Sequence, residues 1–208
     1  QYLGMKKKEK ASIAADQLVL FVLIISLGIM ALMYLGKEFI LTGVFGRIDQ
    51  EVYYHANRYL LVVTASIPFI ALYNSGAALY RSMGDSKTSL RISLVVNIVN
   101  VIGNAILIYG FHLGVIGAAI PTLVSRALGA FIVLIKLRNQ NLLIHLAVPF
   151  KLKLDGKMIK KILHIGVPSG IENSLFQLGK IMLLSLVTGF GTSAIAANSI
   201  AGTLSNFH

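Results

Sequence analysis

Stretches of about 20 apolar residues, almost free of charge, recur along this chain and decide the solvent in which it folds. They are Leu18–Tyr34, Tyr59–Tyr80, Ile92–Tyr109, Val115–Leu137 and roughly Ile162–Val187. About 20 residues of α-helix, rising 1.5 Å each, cover the ~30 Å hydrocarbon core of a bilayer. With 56% of the 208 residues hydrophobic and 13% charged, a soluble domain would have too little polar surface to present to water. The expected fold class is therefore all-α, a polytopic transmembrane helical bundle whose first partner is the lipid bilayer.

The formal net charge of +11 invites comparison with nucleic-acid binders, but its placement argues for a different origin. Lys6, Lys7, Lys8 and Lys10 precede the first stretch, and Arg81, Lys87 and Arg91 lie between the second and third. Lys136, Arg138, Lys151, Lys153, Lys157, Lys160 and Lys161 lie between the fourth and fifth. The joints Gly36–Arg58 and Gly110–Gly114 are nearly balanced or neutral. Basic residues at every second joint are the signature of cytoplasmic loops, so no nucleic-acid partner is expected. The absence of cysteine excludes disulfides and thiolate metal sites. His55, His112, His145, His164 and His208 are scattered without metal-ligand spacing, and no phosphate-cradling glycine run occurs. Neither an enzyme nor a bound cofactor is expected.

Punctuation refines the picture. Pro68 removes a backbone donor within the second stretch and should kink it. Gly114, Gly117, Ala118 and Ala119 open the fourth with side chains small enough for close helix contact in lipid. In the long joint Asn139–Lys161, Asp155 can cap a short helix with Met158, Ile159, Ile162 and Leu163 on one face. Lys157, Lys160 and Lys161 would lie on the other, a pattern suited to the cytoplasmic membrane surface.

Polar side chains within spans are costly in lipid and so point to function. Ser93, Asn97, Asn100 and Asn104 recur at helical spacing and form one stripe. Their amides can ligate a cation, bind a substrate, or simply hydrogen-bond between helices. Thr122, Ser125 and Arg126 share a face of the fourth span, where Arg126 is too deep to reach water easily. The fifth span carries Glu172, Asn173, Gln177 and Lys180. Glu172 and Lys180 can form a structural ion pair, or the carboxylate can exchange a proton or sodium ion.

The segment Ala77-Ala-Leu-Tyr-Arg-Ser-Met-Gly-Asp-Ser-Lys-Thr88, followed by Asn97, Asn100, Asn104 and Gly110, resembles the loop between helices four and five of the multidrug and toxic compound extrusion (MATE) transporters. Gln1-Tyr-Leu-Gly4 resembles the loop after helix two, and Gly114-Val-Ile-Gly-Ala-Ala-Ile-Pro-Thr122 the start of helix six. Gly166-Val-Pro-Ser-Gly-Ile-Glu172 and Gly191-Thr-Ser-Ala-Ile-Ala-Ala197 resemble helix seven and the start of helix eight.

The resemblance implies a fragment of a twelve-helix, two-bundle transporter. Residues 1–137 would supply helices three to six of the first bundle, 138–161 a cytoplasmic linker, and 162–208 the start of the second bundle. The missing remainder of the chain is then its structural partner. The implied function is a secondary antiporter of the cell (plasma) membrane, exporting a small organic cation or amphipathic drug in exchange for sodium or protons. The implied cation site uses Asn100, Asn104 and Thr122, although Asn104 stands where some members carry aspartate. Glu172 is a candidate acid one turn before Phe176, which occupies the position of an acid in other members. Asn97, Arg126, Asn173, Gln177 and Lys180 complete the expected cavity. The competing expectations are a lipid-linked oligosaccharide or peptidoglycan-precursor flippase, with a basic cavity, and a non-transporting membrane scaffold.

Overall fold

The computed structural model describes residues 3–5, 7–39, 41, 50–147 and 154–188. Among them the chain forms α1 (Lys8–Leu35), α2 (Gln50–Ala65), α3 (Ile67–Ser82), α4 (Ser86–Ala105), α5 (Gly114–Leu137) and α6 (Gly156–Thr188), with no strand. The all-α expectation holds. The Gly191–Ala197 resemblance lies outside the described residues.

Four helical segments are long and apolar enough to cross a membrane: α1, α2 with α3 as Gln50–Ser82, α4 extended to Gly110, and α5. The expected fifth span is helical but falls outside this set, because Glu172, Asn173, Gln177 and Lys180 dilute its apolar character. The separate surface helix expected before it is absent. One helix of 33 residues runs through both segments. Asp155 does cap it, its Oδ1 accepting from the backbone N–H of Lys157 at 2.9 Å and of Met158 at 3.4 Å.

The chain divides into two compact units, 1–159 and 160–208. In the first, α5 is the hub: it packs against α2, α3 and α4, while α1 lies along α3. The core gathers at the end carrying the basic joints. Ala11, Ala15 and Val19 from the start of α1 meet Leu79 and Tyr80 from the end of α3. Leu72, Ile92, Ala130, Val133, Leu137, Ile144 and Leu146 complete the cluster. Such tight contact depends on glycine. A Cβ on Gly76 would come within 2.7 Å of Val133 Cγ1, and one on Gly103 within 2.8 Å of Pro121 Cβ.

Turn chemistry explains the Arg81–Thr88 motif. The Asp85 N–H donates back to Tyr80 O at 3.0 Å, and Gly84 takes φ +82°, closing α3 with a left-handed residue. Asp85 then opens α4 by accepting from Thr88 N at 3.0 Å. The Thr88 hydrogen bonds, aided by Arg91 and Lys136, hold the Asp85 carboxyl below the usual carboxylate range.

The second span is broken rather than bent. Ser66 forms a turn between α2 and α3, and Pro68 occupies the first turn of α3, where a missing N–H costs little.

The joint after α5 is not a free strand between helices. Leu146 N donates to Leu137 O at 2.8 Å, while α1 side chains capture further backbone donors. Ser12 Oγ accepts from His145 N at 3.3 Å, Asp16 Oδ1 from Ala147 N at 3.0 Å, and Gln17 Oε1 from Asp155 N at 2.8 Å. Within this strap the side chains of Ile144 and Leu146 are buried.

Candidate functional site

A polar cavity of about 330 Å³ lies among α3, α4 and α5. Ile70 and Tyr73 supply its apolar wall from α3. Ser93, Asn97 and Asn100 face it from α4, and Thr122, Ser125 and Arg126 from α5. The cavity thus collects four of the sequence-predicted residues: Asn97, Asn100, Thr122 and Arg126.

A directed hydrogen-bond chain organises one side. Pro121 interrupts the backbone ladder of α5, and Thr122 Oγ1 donates to Ala118 O at 2.9 Å. Ser125 Oγ donates to Thr122 O at 3.2 Å. With both hydroxyl protons committed to carbonyls, the two oxygens can only accept. Asn100 Nδ2 donates to them, at 3.3 Å to Thr122 and 3.4 Å to Ser125. Asn100 Oδ1 in turn accepts from Asn104 Nδ2 at 3.1 Å. The chain ends at Asn104 Oδ1, which is buried and has no partner among the described residues. A buried acceptor left in that state costs about 1–3 kcal/mol. Asn100, Asn104 and Thr122, the expected cation ligands, are therefore linked in one network of neutral oxygens and amides. Its open acceptor suits a proton-rich or cationic group, although it contains no carboxylate. Asn104 itself lies outside the cavity lining.

The opposite side is organised by Arg126. Its Nη1 donates to Ser66 Oγ at 2.6 Å, and Ser66 Oγ donates to Val63 O at 2.6 Å. Ser66 is fully buried, so the break between α2 and α3 presents a hydroxyl whose lone pairs face the guanidinium. Tyr73 and Val96 close in around Gly129, where a Cβ would lie 2.7 Å from Val96 Cγ2 and 3.2 Å from the Tyr73 ring.

The remaining candidates lie on α6, in the other unit. Glu172, Asn173, Gln177 and Lys180 are exposed there. Asn173 Nδ2 donates to Ser169 O at 2.8 Å, and Lys180 Nζ sits 4.9 Å from the Phe176 ring centre. Eight helical positions separate Glu172 from Lys180 by about 12 Å, too far for the ion pair considered from sequence.

Sequence reasoning missed two residues. Ser66 is one: Pro68 signals a disturbance of the helix, but nothing in the sequence says which neighbour becomes the turn or that it meets Arg126. Asp16 is the other, because hydropathy starts the first span at Leu18, two residues beyond it. Since α1 begins at Lys8, Asp16 is a buried acid within that helix.

The MatE family model matches residues 1–106, more than half of the chain. The chain belongs to the MatE family. Among relatives, the probable multidrug resistance protein YoeA of Bacillus subtilis is 26% identical, covering 100% of this chain and 46% of its own length. The multidrug export protein MepA of Staphylococcus aureus is 30% identical over 73% of this chain and 33% of its own length. The bent form of the MATE transporter VcmN from Vibrio cholerae superimposes with a TM-score of 0.81 at 24% identity, covering 99% of this chain and 46% of that one. The chain spans less than half the length of these relatives. Members of the family are transporters rather than enzymes, and this chain is an integral membrane protein of that family.

Proposed function

We propose that the whole protein is a secondary active antiporter of the plasma membrane that exports amphipathic organic compounds in exchange for sodium or protons. The observation that carries this reading is a polar cavity held open at membrane depth in a MatE-family bundle. The multidrug names of YoeA and MepA support the substrate class. Transport of this kind requires the cavity to open alternately to each side. Substrate and coupling ion must each favour a different state, because a ligand that binds both equally shifts nothing. Asn104 Oδ1 and Glu172 are the groups proposed to respond to the coupling ion: the first is an unsatisfied oxygen and the second an acid on α6. A plasma-membrane location follows from the proposed export.

The test is efflux of a fluorescent organic dye from cells expressing the whole protein, with sodium and proton gradients imposed separately. Gradient-dependent efflux that is lost in Glu172→Gln supports antiport coupled through that acid. Efflux that persists in Glu172→Gln but fails in Asn104→Leu moves coupling to the first unit. No efflux from a well-expressed protein rejects export. The reading then passes to the lipid-linked precursor flippase, which Arg126 favours as the only charged group lining the cavity among the described residues.

A further inference from the structure

We propose that the cavity among α3, α4 and α5 binds the anionic end of the substrate, a carboxylate or phosphate, and that Arg126 is the residue that selects it. The inference rests on the reading that this cavity lies on the substrate path, and it names the chemistry that the path accepts.

The argument begins with charge. Arg126 is the one charged side chain lining the cavity among the described residues, and it meets no carboxylate among them. A guanidinium at membrane depth without a counter-charge is costly, and in such a position it faces a cavity and takes its partner from there. Geometry then makes that partner specific. Ser66 is fully buried and donates its own proton to Val63 O, so it holds Nη1 at 2.6 Å from behind. With one side of the fork fixed, the remaining N–H groups are pre-set in a plane that matches the two oxygens of a carboxylate or phosphate. The neutral lining reinforces the same choice. Asn97, exposed on the α4 face, has an amide free to donate among the described residues, and Ser93 adds a hydroxyl. The Thr122 and Ser125 oxygens accept from Asn100, and no carboxylate lines the cavity among the described residues, so Arg126 alone sets the sign of its charge. The Ile70 and Tyr73 wall would hold the apolar body next to the charged group. A volume of about 330 Å³ admits that group with part of a ring system, not a whole drug-sized molecule.

The experiment uses the whole protein purified in detergent and two dyes with one ring system: the free-acid rhodamine 110 and its methyl ester, rhodamine 123. The first carries a carboxylate and the second does not. Fluorescence anisotropy is expected to show the free acid bound at least about tenfold more tightly than the ester, a difference of ~1.4 kcal/mol. Arg126→Gln should reduce that ratio to about one, whereas Arg126→Lys should keep part of it, since the charge remains and the fork is lost. Displacement of the free acid by hexanoate or by dihexanoyl phosphatidic acid distinguishes carboxylate from phosphate recognition. Equal binding of the two dyes by the native protein overturns the inference even if Arg126→Gln does not fold. So does a ratio unchanged in Arg126→Gln, or failure of both anions to displace the free acid. Gradient-driven efflux that survives these failures would leave the export reading standing without this subsite.

Discussion

Arg126 Nη1 lies 2.6 Å from Ser66 Oγ, joining the middle of α5 to the break between α2 and α3. At the break the Ser66 hydroxyl serves twice, donating to Val63 O and accepting from the guanidinium. Ser66→Ala should leave the guanidinium unanchored. The expected destabilisation is about 1–2 kcal/mol, between the ~0.6 typical of neutral interhelical bonds and the ~1.5–3 of bonds to charged groups. Thermal unfolding of the whole protein in detergent reads this directly, and an unchanged midpoint would reject the anchoring role.

Gly76 tests the close packing of α3 on α5. Alanine normally gains up to about 1 kcal/mol over glycine within a helix. Here the added Cβ would come within 2.7 Å of Val133 Cγ1, and Val133 is fully buried with nowhere to move. Overpacking costs about 1–3 kcal/mol, so the net effect of Gly76→Ala should be a loss of roughly 1 kcal/mol. Combining it with Val133→Ala should recover part of that loss. Gly28→Ala, which meets nothing within 4 Å, is the control and should be neutral or stabilising. A lower midpoint for Gly28→Ala than for Gly76→Ala would contradict the packing described.

The strap after α5 depends on α1 for its hydrogen bonds. Asp16→Ala removes the acceptor for Ala147 N, now 3.0 Å away, while Asp16→Asn keeps an oxygen in place. Hydrogen exchange at residues 144–147 should quicken by tenfold or more in the alanine variant, corresponding to ~1.4 kcal/mol or more of lost protection. The asparagine variant should stay close to the native rate. Equal exchange in native and alanine variants would mean that the strap is held by its buried Ile144 and Leu146 alone.

Asp85 predicts a pH dependence whose sign can be stated. Its carboxyl is held below the usual range chiefly by the Thr88 hydrogen bonds. A depressed folded value stabilises the protein fully above the unfolded value, ~3.9, and that contribution disappears as pH falls through the folded value. Asp85→Asn can still cap α4 but does not titrate. Below about pH 4 the native protein should therefore lose stability faster than the variant. Parallel unfolding curves for the two proteins would remove Asp85 from the account.

Some of the site was legible before any coordinates. Asn97, Asn100 and Asn104 follow helical spacing, and Thr122 and Arg126 share a face, so each stripe could be drawn from periodicity. What periodicity cannot tell is which stripe meets which. Asn100 reaches Thr122 across 22 positions and Ser125 across 25, through a crossing of α4 over α5 set by Gly103 against Pro121. The α6 residues show the opposite limit. Glu172 and Lys180 looked like a pair because both are charges in one apolar stretch, yet their separation along a single helix keeps them apart.

Helix class and membrane solvent follow from the chain alone, because they depend on local length and hydropathy. The Arg81–Thr88 turn also belongs there, since a left-handed glycine followed by a capping aspartate is a local solution to a local problem. Only the tertiary structure decided that α2 and α3 break at Ser66, that Asp16 pins the strap, and that Arg126 finds its partner 60 positions away. Those outcomes depend on which buried donors and acceptors are brought within reach. In lipid, where apolar faces are nearly interchangeable, that is settled by close packing and polar satisfaction rather than by any pattern along one helix.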